Sequence, residues 1–197
     1  FEVSRRLHAV AGESGEVDIA AVHEASLDKE FVYQGYDTTC LVELDEEPPH
    51  EINSEALKIG MQISLLLNCK IIPITQIMRK TVINGSNTSG FQRTVAIAQK
   101  GFIETSKGKV GIDWVYLEED SARVVSRDEN KVVYKLDRLG IPLVEIVTAP
   151  DIKDAKHAKE VALKIGEILR SAKVRRGIGT IRQDVNISIR GENRVEI

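Results

Sequence analysis

The sequence predicts an α+β fold, an antiparallel sheet with helices on one face. Three observations carry this. Short runs rich in β-branched and aromatic residues recur between turn signals, as in RTVAIAQ, KVGIDWVYLEE and PLVEIVT. The TSKGK segment between two such runs reads as a hairpin turn, which makes its neighbours antiparallel. One long stretch has the helical period instead, with Ala158, Val161, Ala162, Ile165, Ile168, Leu169 and Ala172 on one side.

The elements follow in order. FEVSRRLHAV reads as a short helix and GESGEVD as a turn-rich break. Residues 31–44 read as strand, ended by Pro48 and Pro49. Asn53 or Ser54 caps a mostly buried helix over 54–69. Strands are expected near 93–99, 102–105, 109–119, 131–137, 143–148 and 184–190, with Asp151 or Asp154 capping the periodic helix. No repeat or low-complexity tract interrupts the chain. The 197 residues suffice for one large domain or two small ones, 42% hydrophobic side chains supply a real core, and a single domain over 1–197, incomplete at both ends, is the expectation.

Bulk properties exclude some functions. With 27 basic and 30 acidic residues and a net charge of −3, the chain cannot hold nucleic acid by overall charge, though a local basic patch is allowed. Cys40 and Cys69 lack metal-type spacing, and each reads as a small buried apolar residue of a reducing compartment. His8, His23, His50 and His157 are scattered, which removes support for a histidine metal cluster or a hydrolase triad. No apolar run reaches membrane-span length. The chain starts at Phe1 without Met and stops inside the strand-like NRVEI, so it reads as an internal piece of a longer protein.

Three segments have chemical potential. In QDVNISI, alternation turns Val185, Ile187 and Ile189 to the core and Arg182, Asp184, Asn186 and Ser188 to the other face. Short polar side chains beside one Arg make a binding floor; a solvated face is the plain alternative. In LEED, the strand ends in Glu118, Glu119 and Asp120. Alternation puts Glu118 and Asp120 on one face and Glu119 on the other, unless a bulge gathers them. Two carboxylates about 5 Å apart repel by roughly 3 kcal/mol at an effective dielectric near 20, and a hard divalent cation reverses that sign. Asp184 completes the set if its strand runs nearby; the alternative is a solvated strand end. In MRKTVINGSNTSGFQRT, Gly85 and Gly90 stand among Asn84, Ser86, Asn87, Thr88 and Ser89, flanked by Arg79, Lys80, Gln92 and Arg93. Such a loop can cradle an anion with its amides. It is no P-loop, because no Lys-Ser/Thr follows the second glycine, and a polar surface turn explains it equally well. Lys173, Arg175, Arg176 and Arg182 around Gly177 read first as a helix end.

CLVELDEEPP, MRKTVINGSNTSGFQRT, LEEDSAR, YKLDRLGIPLVEIVTAPD and RRGIGTIRQDVNISI together resemble, in order and over nearly the whole chain, the GatB/GatE family of tRNA-dependent amidotransferases. The resemblance implies a cradle-shaped catalytic domain similar to the glutamine synthetase and guanido kinase core. It implies a cytoplasmic hetero-oligomer that uses ATP and Mg²⁺ to phosphorylate the γ-carboxylate of Glu-tRNA(Gln). It also implies an asparaginase-like amidotransferase partner, GatD, that supplies ammonia. It places the metal acids on Glu118, Glu119 and Asp184, and Arg79, Lys80, Gln92 and Arg93 beside the active site and ammonia route. Gly85, Ser86, Asn87, Arg182 and Asn186 are the expected nucleotide contacts. The chain departs from the family in lacking its first strand, a Gly-Leu-Glu-Ile-His run with further metal ligands, and the tRNA-gripping domains. The piece is therefore expected to be inactive alone. A tRNA-independent carboxylate–amine ligase similar to glutamine synthetase, and a non-catalytic RNA-binding module, are the rival readings.

Overall fold

Two sheets organise the chain in the computed structural model, which describes residues 1–6, 15–17, 19–189 and 193–196. The larger sheet has five strands: β3 (Lys70–Ile71), β4 (Ile77–Thr81), β5 (Phe91–Thr105), β6 (Gly108–Glu119) and β9 (Pro142–Thr148). Its order is β3-β5-β6-β9, with β4 also paired to β5, and every pair is antiparallel. The smaller sheet runs β1 (Glu2–Arg6), β2 (Glu30–Gln34), β8 (Lys131–Lys135), β7 (Arg123–Arg127), and β2 and β8 pair in parallel. A two-stranded ladder, β10 (Asn186–Ile187) with β11 (Val195–Glu196), stands apart from both. The result is an α+β fold with a mixed second sheet.

The helices are α1 (Ile19–Ser26), α2 (Ser54–Leu66) and α3 (Ala155–Ser171). Asn53 caps α2 by accepting the Ala56 amide, and Asp154 caps α3 by accepting that of His157. Both helices bury their apolar stripes against one face of the large sheet. Ile63 and Leu67 at α2, and Val161 and Ile165 of α3, share a core with Val95, Ile97, Val115 and Leu117. Burial of each such side chain contributes about 1.5–3 kcal/mol. The other face of the large sheet carries no helix among the described residues, and the candidate site lies there.

The second core packs Phe31, Tyr33, Val132, Tyr134 and Leu136 beneath the small sheet. It reaches the hairpin loop 82–90. Tyr33 donates its hydroxyl to the Gly85 carbonyl (2.7 Å) and Tyr134 donates to the Asn84 carbonyl (2.6 Å). Burial raises both phenol pKa values above the ordinary tyrosine range.

Several expectations are corrected. The start of FEVSRRLHAV is strand β1, because it pairs with β2; residues 7–10 and His8 lie outside the described residues. The 31–44 strand stops at Gln34, where pairing ends and turns begin. Helix α2 is half-exposed, with Leu65 and Leu66 facing outward. Strands 93–99 and 102–105 are one strand, kinked by a bulge at Ala96/Ala98. Cys40 is exposed and Cys69 buried. Val185, Ile187 and Ile189 do not face a core: they are 45%, 51% and 75% exposed. Alternation buries one face only when a layer covers it, and this segment pairs with β11 alone.

Candidate active site

The 79–93 segment, expected as a loop, is a hairpin with the expected site residues on both arms. β4 and β5 pair Arg79 with Arg93 and Lys80 with Gln92 across the ladder. β5 and β6 then pair Thr94 with Glu118. Pairing register therefore sets Lys80, Gln92, Thr94 and Glu118 side by side on the open face. Glu118 is only 5% exposed. It accepts Thr94 Oγ1 (3.0 Å) and Gln92 Nε2 (3.3 Å), and Lys80 Nζ lies 3.5 Å away. Gln92 Nε2 also donates to the Glu119 carbonyl (2.7 Å).

A residue that sequence reasoning misses completes this cluster. Glu145 sits on β9 opposite Tyr116. Burial and then the Glu118 charge hold its carboxyl above the ordinary range, against the pull of Lys80. A hydrogen bond with Glu118 and the Asp184 charge act in the same direction. The signal is present in the chain: PLVEIVT is an apolar strand broken by a single acid.

No bulge gathers the acid triple, because the β5–β6 register is regular from Thr94 to Ala96, opposite Glu118 to Tyr116. Glu119 consequently points to the helix side, where the Arg93 guanidinium donates to its Oε1 through both Nε (2.8 Å) and Nη2. This pair borders a cleft of about 290 Å³ also lined by His50, Asn53, Phe91 and Leu117. Asp120 faces Arg138 (3.3 Å) and Arg182 (3.8 Å). Arg79 lies over the Phe91 ring at 4.8 Å. Among the described residues, no three His, Cys, Asp or Glu side chains stand around one point as a ready metal cluster.

Loop residues Ser86 and Asn87 are buried. The Ser86 amide donates to Asn84 Oδ1 (3.0 Å), and Ser121 Oγ donates to Asn87 Oδ1 (2.7 Å). Gly85 adopts φ +77°. Asn186 lies on exposed β10, and Asp184 in the coil before it.

The profile of the GatB/GatE catalytic domain matches residues 16–197. The chain belongs to the GatB/GatE family. The GatE subunit of glutamyl-tRNA(Gln) amidotransferase from Methanocaldococcus jannaschii is 59% identical over the whole chain, that of Methanosarcina acetivorans 55%, and that of Archaeoglobus fulgidus 54%. The chain covers 31%, 31% and 32% of those proteins, so it spans about a third of the length of the GatE relatives it matches.

Proposed function

We propose that this chain supplies the catalytic floor of a glutamyl-tRNA(Gln) amidotransferase, in which the glutamyl γ-carboxylate of Glu-tRNA(Gln) is phosphorylated by ATP and the phosphate is then displaced by ammonia. The observation that carries this reading is the buried Glu118 carboxylate beside the half-buried Glu145 and Lys80, in a chain of the GatB/GatE family. A domain over 1–197 similar to the glutamine synthetase-like cradle, and an asparaginase-like partner that releases the ammonia, belong to the same reading.

The donor set fits Mg²⁺. That ion takes one or two carboxylates and completes its shell with water and phosphate oxygens. Glu118 and Glu145 offer two hard oxygen donors whose like charges disfavour one another, and the Asp184 charge adds to this. We assign the ion to Glu118 and Glu145, with Asp184 contributing its charge from nearby, rather than to Glu119, whose carboxylate is committed to Arg93. When bound, Mg²⁺ neutralises charge on the phosphates.

The chain's own residues do the rest. Thr94 and Gln92 fix the orientation of Glu118. Lys80 brings a cation to the same face, where it attracts phosphate oxygens as transfer spreads charge over them. Gly85, Ser86 and Asn87 are kept as proposed nucleotide contacts, their loop held in place by the bonds to the Gly85 carbonyl, the Ser86 amide and Asn87 Oδ1. Arg79, Arg93 and Glu119 line the helix side, Arg182 approaches Asp120 from the last segment, and Asn186 is kept as a proposed nucleotide contact.

The test uses the full-length protein with its ammonia-supplying partner. Glu118→Gln and Glu145→Gln should abolish labelled phosphoryl transfer to Glu-tRNA(Gln) without an ammonia donor, while amide hydrolysis by the partner persists. Normal transfer in both variants refutes this assignment of the site. Transfer to free glutamate without tRNA would favour the tRNA-independent ligase.

A further inference from the structure

The open face of the large sheet has two unlike halves. One holds Lys80, Glu118 and Glu145. The other is apolar and aromatic. Trp114 and Tyr116 lie on the same side of β6, with ring centroids 5.9 Å apart and planes 22° from parallel. Tyr116 feels the charges of Glu145, Glu118 and Lys80, so the aromatic pair and the polar cluster share one face. Trp114 pairs in register with Val147 and Gln99, and Tyr116 with Ala96 and Glu145. Trp114 is 37% exposed, an unusual position for the largest aromatic residue in a strand that buries Val115 and Leu117 on its other side.

We propose that Trp114, backed by Tyr116, is the stacking platform for the purine base of the nucleoside triphosphate. The proposal rests on the phosphoryl-transfer reading above and adds the direction in which the nucleotide lies. Three features select a nucleotide over a generic apolar partner. The exposed ring is flat and held nearly parallel to its neighbour, which presents a π-face rather than a groove. The face turns from aromatic to charged along a single strand, as a nucleotide turns from base to phosphate. From Trp114 to Glu118 is four residues, about 13 Å along the strand, comparable with an extended nucleoside triphosphate. Base–aromatic stacking tolerates any base, since each has a π-face, so the platform supplies affinity rather than a choice among purines.

The experiment compares two probes on the full-length protein: ATP and inorganic tripolyphosphate, each with Mn²⁺, by equilibrium binding. Trp114→Ala should weaken ATP binding by about ten- to a hundredfold and leave tripolyphosphate binding unchanged. Trp114→Phe should recover most of the ATP affinity. Unchanged ATP binding in Trp114→Ala overturns the proposal. Equal loss for both probes also overturns it, since a missing base contact cannot affect a ligand without a base. A failure of the underlying reading looks different: Glu118→Gln would then leave the binding of both probes with Mn²⁺ unaltered.

Discussion

Thr94 and Glu118 face each other across the β5–β6 ladder, and the threonine hydroxyl donates to Glu118 Oε1 at 3.0 Å. Gln92 donates to the other oxygen. A carboxylate gripped at both oxygens has a fixed orientation before any ligand arrives. Outer partners of this kind typically contribute 10- to 100-fold to metal affinity. Thr94→Val, nearly equal in shape, should therefore weaken Mn²⁺ binding by about tenfold in the full-length protein. Thr94→Ser should not. An electron paramagnetic resonance titration with Mn²⁺ reads this directly, and equal affinity for Thr94→Val would show that the hydroxyl does not orient the carboxylate.

Gly85 and Gly90 have nearly the same backbone, φ +77° and +76°, but different surroundings. A Cβ at 85 would stand 2.3 Å from the Phe31 ring, whereas at 90 it meets open space. Gly90→Ala should cost only the left-handed strain, about 1–2 kcal/mol. Gly85→Ala adds overpacking of about 1–3 kcal/mol. Thermal melts should separate the two, with 85 the lower. The sequence alone suggests a positive φ or a close ligand approach at both glycines; the structure shows the positive φ at both and adds a packing reason at 85.

Tyr33 links core to loop, and its titration has a defined sign. Burial, then the neighbouring Tyr134, raises its pKa, with Arg5 opposing. A phenol raised by folding contributes stability that is whole below about pH 10 and lost as pH climbs toward the folded value. Tyr33→Phe should cost about 1–3 kcal/mol at neutral pH, because the Gly85 carbonyl loses its donor. It should also lose less stability than the parent between about pH 8 and pH 11. Urea midpoints at the two pH values measure both effects.

His157 is almost fully buried at the start of α3. Its Nδ1 accepts the Lys153 amide (3.1 Å), so Nε2 carries the proton and donates to Thr105 Oγ1 (2.8 Å). The Thr105 hydroxyl in turn donates to the Gly108 carbonyl. His157→Ala breaks this chain and leaves a cavity, at an expected cost of about 3 kcal/mol. Chemical denaturation should show it; a change under about 1 kcal/mol would mean that water replaces the ring fully.

What is legible in the sequence follows physical lines. α3 is readable because its apolar residues repeat at the helical period, and α2 because Asn53 marks its start. β6 and β9 are readable from their apolar runs. β4 is not: every residue of IMRKT is exposed, so no alternation betrays it. The site is legible in part. Motifs point to Glu118, Lys80 and Gln92, yet their meeting is a matter of register, which no local pattern encodes. Glu145 stays hidden because a lone acid in PLVEIVT gains meaning only when Glu118 lies beside it. The 184–190 segment misleads because alternation reports a preference for a covered face, not the presence of a cover.

The contact between Gly85 and the Phe31 ring also limits how such a protein can change over generations. Phe31 belongs to the core of the small sheet and Gly85 to a hairpin of the large one, and neither leaves room for growth in the other. A bulkier residue at 85 escapes the clash only after the ring at 31 shrinks, and still carries its left-handed strain, while a shrunken ring alone leaves a void. Each single step passes through a less stable protein. The two positions are therefore expected to drift as a pair, and a designer who alters one should alter the other in the same round.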